Sequence, residues 1–284
     1  MRTQSDRLGF ETPDPNARIA LITGATDGIG QAAAGRLAGT GWRVVVVGRN
    51  PERVENTVRG LPAGTAIGAV ADLTRMADIR ALTDRLDLSR LDALVLNANA
   101  IIQTRRVTDE GFEANLAVGF LGRTLLQWRL EPLLAATPGS QVLTVVGLDL
   151  ERLDLAGPQL ERGFTARKAL LRWQWAVQVL ARESNRRGHT PVNVYMPGLV
   201  RTKILADEPQ PMRALVQVAN WLFGIPVPRS GEEMAEVLER VAREGARDGY
   251  YARTKEKPRR DLKTTAEDGP ALWAWAEEAL RRWM

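Results

Sequence analysis

The residues with the clearest chemical capacity lie in TGATDGIG, residues 23–30, directly after the apolar run RIALIT. Thr23, Gly24, Thr26, Asp27, Gly28, Ile29 and Gly30 make a turn whose glycines permit backbone angles other residues resist and let a ligand approach closely. A helix starting there aims its unsatisfied N–H groups and positive dipole end at that ligand, an arrangement suited to a pyrophosphate. The G-x-x-x-G-x-G spacing is a variant of the G-x-G-x-x-G dinucleotide fingerprint. The next apolar run ends in VVVVGRN, residues 44–50. An NAD site offers an acid there to the adenosine ribose. This chain offers Gly48, then Arg49 and Asn50, and the planar guanidinium of Arg49 suits a 2′-phosphate. The cofactor expected is therefore NADP(H).

Those turns need a scaffold that delivers them to one edge. Apolar runs alternate with amphipathic stretches, the pattern of βαβ units in a doubly wound parallel sheet. About seven strands are expected, at 18–23, 42–47, 65–71, 91–96, 141–146, 191–196 and 249–252. Their near-continuous Val, Ile and Leu suits strands buried on both faces. Helices are expected over 29–39, 51–59, 74–87, 109–135, 164–187, 231–244 and 269–283. The fold class is α/β, a Rossmann-type sheet with helices on both faces. No repeat or low-complexity linker divides residues 17–284, which read as one domain after a flexible polar lead-in, 1–16. The stretch 199–231, containing NWLFGIPVP, follows a strand's carboxyl end, where such sheets build substrate lids. Met212, Trp221 and Phe223 in that stretch, together with Phe164, could line a flat aromatic pocket.

Composition removes several classes of function. The chain has no cysteine, which rules out disulfides, thiolate catalysis and cysteine-ligated metals. Its one histidine, His189, sits in the turn-like RRGHTPVN with no further ligands nearby, so no metal site is expected. No apolar run approaches the ~18 residues of a membrane span. The start lacks an apolar signal core, and a cytoplasmic location is expected. The net charge of +5 comes from bases interleaved with acids. A phosphorylated small ligand accounts for it, and no nucleic-acid-binding signature is present.

With TGATDGIG, ADL at 71–73, LNANA at 96–100, FTARK at 164–168 and MPGLVRT at 196–202, the chain resembles the short-chain dehydrogenase/reductase family. The branch it most resembles is that of retinol dehydrogenase and protochlorophyllide reductase. The resemblance implies that Asp72 and Leu73 border the adenine and that Asn97 and Ala98 match an Asn-Ala step. It implies that Pro197, Gly198, Val200 and Thr202 border the nicotinamide, and that Lys168 holds its ribose. The catalytic positions depart from the family. Its tyrosine falls on Phe164, its serine on Gly147 beside Val146, and its helix asparagine on Gly119, so only Lys168 remains of four. A literal Tyr-x-x-x-Lys, Tyr251 to Lys255, lies in the last strand and reads as a decoy; Tyr195 belongs to the sixth strand. The resemblance also implies a homo-oligomer. Trp173 and Trp175 are expected to pack in the core or between subunits.

Without that tyrosine and serine, an ordinary ketone is a hard substrate, because the alkoxide it forms must be protonated as it arises. Lost donors of this kind cost factors of about 10² to 10⁴ each. A quinone needs less help. Its reduced oxygen is a phenolate, with a conjugate acid near pKa ~10, against ~15.7 for water as a guide to an alkoxide. The gap is roughly 7–8 kcal/mol of base strength that no side chain must neutralise. The expectation is an atypical NADPH-dependent reductase of a quinone-like or polycyclic aromatic polyketide acceptor. Its reduced product could feed a hydroxylation by oxygen, with a partner protein. Two alternatives stay open: an NADP-binding pseudoenzyme or partner subunit, and a non-redox cyclase or isomerase on the same fold. Thr144 and Asp149 flank the serine position as candidate donors.

Overall fold

The first apolar run forms strand β1 (Ile19–Thr23), and all five of its residues are buried. The computed structural model describes residues 7–11, 14, 16–147, 151–200, 224–258 and 261–284. After β1 come α1 (Gly28–Ala38), β2 (Arg43–Gly48), α2 (Pro51–Arg59), β3 (Ala66–Val70), α3 (Met76–Arg85) and β4 (Ala93–Leu96). The short α4 (Ala114–Leu116) passes through a π-helical turn (Ala117–Leu121) into α5 (Gly122–Ala135). Then follow β5 (Gln141–Val145), α6 (Ala166–Arg186), β6 (Val192–Met196) and α7 (Val227–Glu244). The chain closes with β7 (Tyr250–Ala252), β8 (Lys255–Glu256), α8 (Asp268–Leu280) and a 3-10 turn (Arg281–Trp283).

The sheet order is β3-β2-β1-β4-β5-β6-β7-β8. Every pairing is parallel except β7 with β8. The order reverses at β1, so a crevice opens between the carboxyl ends of β1 and β4, where such sheets bind ligands. Register brings the chemistry to that edge: Thr23 pairs with Val47 and Ile22 with Val95. The glycine turn, Arg49 and Asn97 therefore leave the sheet at nearly one level.

Alternation along the strands fills two cores, as it must when both faces are covered. Leu21, Val45, Val47, Leu94, Leu96 and Val142 face α3, α5, α6 and α8. Ala20, Ile22, Val44, Val46, Val95 and Leu143 face α1 and α7. The C-terminal helix α8 lies over the first of these layers. Trp273 packs on Trp128 with ring centroids 4.6 Å apart, and Trp275 stacks on Phe120 at 6.1 Å. Just upstream, the carbonyl of Leu262 accepts the Trp175 indole N–H at 2.9 Å. Trp173 and Trp175 are thus core residues of the chain itself.

The structure departs from the sequence expectations in a few places. The sheet has eight strands rather than about seven; β8 is two exposed polar residues with no apolar pattern to betray it. Helix α7 starts at Val227 rather than 231, with proline in its first turn, where a missing N–H is no loss. Helix α6 starts at Ala166 because Thr165 caps it, accepting the Lys168 N–H at 3.1 Å. Most of the expected lid, with Thr202, Met212, Trp221 and Phe223, lies outside the described residues, as does Asp149.

Candidate active site

The turn after β1 is built tightly enough that few residues other than glycine fit. Gly24 and Gly28 have φ of +66° and +56°. A side chain at Gly30 would place its Cβ 2.4 Å from the Gly24 carbonyl and 2.5 Å from Asn97 Nδ2. That Nδ2 donates to the carbonyls of Thr23 (3.0 Å) and Gly24 (3.3 Å), while Thr23 Oγ1 accepts the N–H groups of Asn97 and Ala98. The expectation for Asn97 is refined: it ties the end of β4 to the glycine turn. Asp27 caps α1, accepting the Gly28 N–H at 2.7 Å. Gly30 packs beneath the turn rather than lining the cleft.

A cleft of about 760 Å³ runs over this turn and along the carboxyl ends of the strands. Gly24, Thr26, Asp27, Gly28, Ile29, Gly48, Arg49, Asp72, Leu73, Asn97, Ala98, Pro197, Gly198 and Val200 all line it. The sequence expectations are thereby brought together, apart from Gly30, Asn50, Lys168 and the undescribed Thr202. Asn50 faces α2 instead, where its side chain caps the helix by accepting the Arg53 N–H at 2.9 Å. Arg49 is exposed at the rim and makes no ion pair among the described residues. Gly48 keeps that rim open, since a Cβ there would lie 2.5 Å from Thr26 Cγ2. The residues present fit a nicotinamide dinucleotide phosphate. They offer a cradle too tight for side chains beneath the pyrophosphate, a helix N-terminus, and an unpaired guanidinium at the adenosine end.

The reactive end differs from expectation. Phe164 precedes the cap of α6, so it shares no helical face with Lys168 in the first turn, and neither lines the cleft. The residues that α6 does turn into the cleft are Leu170 and Gln174, one turn apart. Gly119 packs under Trp173, where a Cβ would lie 2.4 Å from the indole, so it too faces away from the ligand. The asparagine of that helix is Asn115, one turn earlier. It is buried, with its amide bound both ways to the backbone of Ile102 (2.8 and 3.1 Å). Gly147 is in the cleft wall as expected, beside Val145 and Val146.

All three tyrosines lie elsewhere. Tyr195 is buried in β6 with its hydroxyl toward the Ser230 carbonyl at 3.4 Å, and burial pushes its pKa up. Tyr250 donates to Met196 Sδ at 3.3 Å. Tyr251 is buried in β7, its pKa raised by burial, while Lys255 is exposed in β8. The Tyr-x-x-x-Lys decoy is therefore a strand hairpin. His189 is held in its turn by Glu131 at 3.4 Å and stacks on Trp273. Thr144 is buried and accepts from Arg123 rather than facing a ligand.

Two buried polar residues of the cleft wall escaped sequence reasoning. Arg123 on α5 is buried, yet no carboxylate among the described residues pairs with it. Its guanidinium donates to the carbonyls of Val145 (2.7 Å) and Ala98 (2.8 Å) and to Thr144 Oγ1 (3.2 Å), and lies 4.8 Å from the Trp173 ring. Burial lowers its pKa to about 9, which leaves it cationic at neutral pH. Its Nε has no partner among the described residues. Gln174 on α6 accepts the Gly147 N–H through Oε1. An arginine in a helix buried on most sides and a glutamine between two tryptophans carry no motif, and only their partners in three dimensions mark them.

Residues 18–213 match the family model described as short chain dehydrogenase. The chain is 34% identical over 276 residues to a Streptomyces sp. (strain C5) protein named for daunorubicin C-13 ketoreduction, covering 92% of this chain and 91% of that one. It is 30% identical over 289 residues to mouse polyprenol dehydrogenase, covering 95% and 82%. Among solved structures, a short-chain dehydrogenase from Sphingobium yanoikuyae in complex with NADPH superposes with a TM-score of 0.60 at 23% identity, covering 93% and 95%.

Proposed function

The chain belongs to the short-chain dehydrogenase family and is an oxidoreductase; from that premise we propose that it is an NADPH-dependent reductase of a quinone-like or polycyclic aromatic polyketide acceptor. The glycine turn and the N-terminus of α1 hold the pyrophosphate, Arg49 receives the 2′-phosphate, and Asp72 and Leu73 border the adenine. Pro197, Gly198 and Val200 wall the nicotinamide end. When bound, the cofactor supplies a hydride.

The observation that carries the acceptor class is the placement of the tyrosines. None of the three lines the cleft, and among the described residues its wall around Gly147 is Val145, Val146 and Leu170 with Arg123 and Gln174. Among the described residues, that wall offers no phenol or hydroxyl to protonate an alkoxide as it forms. An acceptor whose oxygen ends as a phenolate needs no such acid, by the margin of roughly 7–8 kcal/mol between phenol and alkoxide basicity. The hydride brings two electrons and one proton to the ring system, and water supplies the second proton. The protein contributes orientation and a largely apolar wall that keeps water from the reacting face. The product is an electron-rich hydroquinone that reacts with oxygen, which suits a hydroxylation step shared with a partner protein.

A second reading, reduction of a ketone carried on such a ring, is favoured by the name of the Streptomyces relative. One experiment separates the two. NADPH oxidation is followed with 1,4-naphthoquinone, an anthraquinone, an aryl methyl ketone and cyclohexanone. The proposal expects turnover with the quinones and little with either ketone. Turnover with the aryl ketone alone selects the second reading. NADPH oxidation that no quinone accelerates overturns the first.

A further inference from the structure

We propose that Gln174 is a catalytic residue that replaces the lost serine, its side-chain N–H donating to the acceptor oxygen on which charge gathers during reduction. The proposal deepens the reductase reading and rests on it. Its first support is position. A Cβ built on Gly147 would lie 2.7 Å from Gln174 Oε1, 3.3 Å from Cδ and 3.2 Å from Nε2. The carboxamide thus fills the space into which a side chain at 147 would project. A group from the neighbouring helix stands where the strand end lacks one.

Orientation is the second support. The Gly147 N–H donates to Oε1, which fixes which end of the amide is which, because only the oxygen can accept. The NH2 end is left over. Nε2 has no hydrogen-bond partner among the described residues, although the residue is only 3% exposed and borders the cleft. Nε2 keeps some contact with the cleft's solvent, and a ligand oxygen that displaces that water must accept in its place, since a donor stripped of every partner is costly.

The third support is the charge behind it. Arg123 lines the same cleft and is fastened to Thr144 and Val145, two residues before Gly147 on the same strand end. A buried cation that no carboxylate of the described residues pairs with favours negative charge appearing nearby. In the reduction, the Nε2–H bond strengthens as the acceptor oxygen becomes a phenolate. The amide itself neither gains nor loses a proton, and water completes the protonation.

The test uses the whole chain with NADPH and 1,4-naphthoquinone. Q174E keeps an acceptor for the Gly147 N–H but has no donor once ionised, so it separates a strap from a donor. The expected result is a fall in kcat of about 10²-fold, the usual effect of removing one such donor. NADPH affinity, read by fluorescence titration, should stay within about twofold, because lost donation alone falls on kcat. Activity should recover as pH falls and the carboxyl protonates. Q174M, uncharged and of similar volume, should show the same fall without recovery in acid. A readout free of turnover uses 4-nitrophenol bound to the NADP⁺ complex: the wild-type protein should lower the bound phenol's pKa below its free value, and Q174E should not. If the wild-type protein turns over no quinone, the reductase reading fails, and the phenol titration still decides on Gln174. Unchanged kcat in both variants, or an equal phenol shift with and without Gln174, overturns the proposal.

Discussion

Restoring the family's serine by G147S should not restore catalysis; it should destabilise the protein through Gln174. The backbone itself is no obstacle, since Gly147 is not among the glycines with positive φ. The obstacle is the Gln174 carboxamide, 2.7 Å from where the new Cβ must go. A flexible side chain can move aside, but here it would leave both its own oxygen and the Gly147 N–H without a partner. Losing that bond in a buried wall costs about 1–3 kcal/mol, and crowding adds to it, so about 2 kcal/mol is expected. Q174A should cost about 2–3 kcal/mol from the same bond and the void it leaves. The double variant G147S/Q174A gives the serine its room. Its loss should fall short of the sum by about 1.5 kcal/mol, well beyond the few tenths found for independent sites. Urea denaturation at a fixed NADPH concentration measures all four corners, with unchanged slopes certifying a common unfolding transition. Additivity within about 0.5 kcal/mol, or a G147S protein as stable as wild type, would refute the reasoning. So would a tenfold rise in kcat/KM in G147S alone.

Other expectations follow from the same geometry. R49A should weaken NADPH binding about tenfold and leave NADH unaffected, the exposed charge pair being worth little more than ~1.4 kcal/mol; fluorescence titration at two salt concentrations checks it, since the effect should shrink with salt. F164Y should leave kcat/KM on the native acceptor within about threefold, because residue 164 does not reach the cleft; a gain of about 10²-fold, the least a positioned acid supplies, would place it at the reacting carbonyl. Bonds from Arg186, and also from Arg187, hold the Glu183 carboxyl below the usual carboxylate range. Its stabilisation is therefore present above about pH 4.3 and lost as pH falls through the lowered folded value. E183Q should cost about 1 kcal/mol near neutrality, discounted for the exposed arginine heads, and the difference should vanish in strong acid.

The fold was legible because its signals are local and redundant. Each buried parallel strand is a continuous run of Val, Leu, Ile or Ala, and the glycine turn follows the first run at once, so strand order and cofactor edge could be read together. Arg49 stood out because Gly48 beside it lacks the alternative acid. The reactive wall was harder. The FTARK segment aligns with a motif by letters, but Thr165 caps the helix and so sets its phase, which turns Leu170 and Gln174 inward in place of Phe164 and Lys168. Letters do not carry phase. Gly119 aligns with the family's helix asparagine, while Asn115, a turn earlier, has the buried amide. Arg123 and Gln174 matter for what they lack among the described residues, a carboxylate and an acceptor, and a missing partner has no signature in one dimension.

Helix α8 has one further effect on how the protein behaves. By laying Trp273 and Trp275 across α5 and the π-helical turn, and with Leu262 holding the α6 tryptophan, the chain covers for itself the helices that carry Gln174 and Arg123. A second copy approaching along that side would meet the C-terminal segment there. The bracing of Gln174 and Arg123 by α8 accordingly lies within each molecule, so dilution alone should leave the turnover per molecule unchanged.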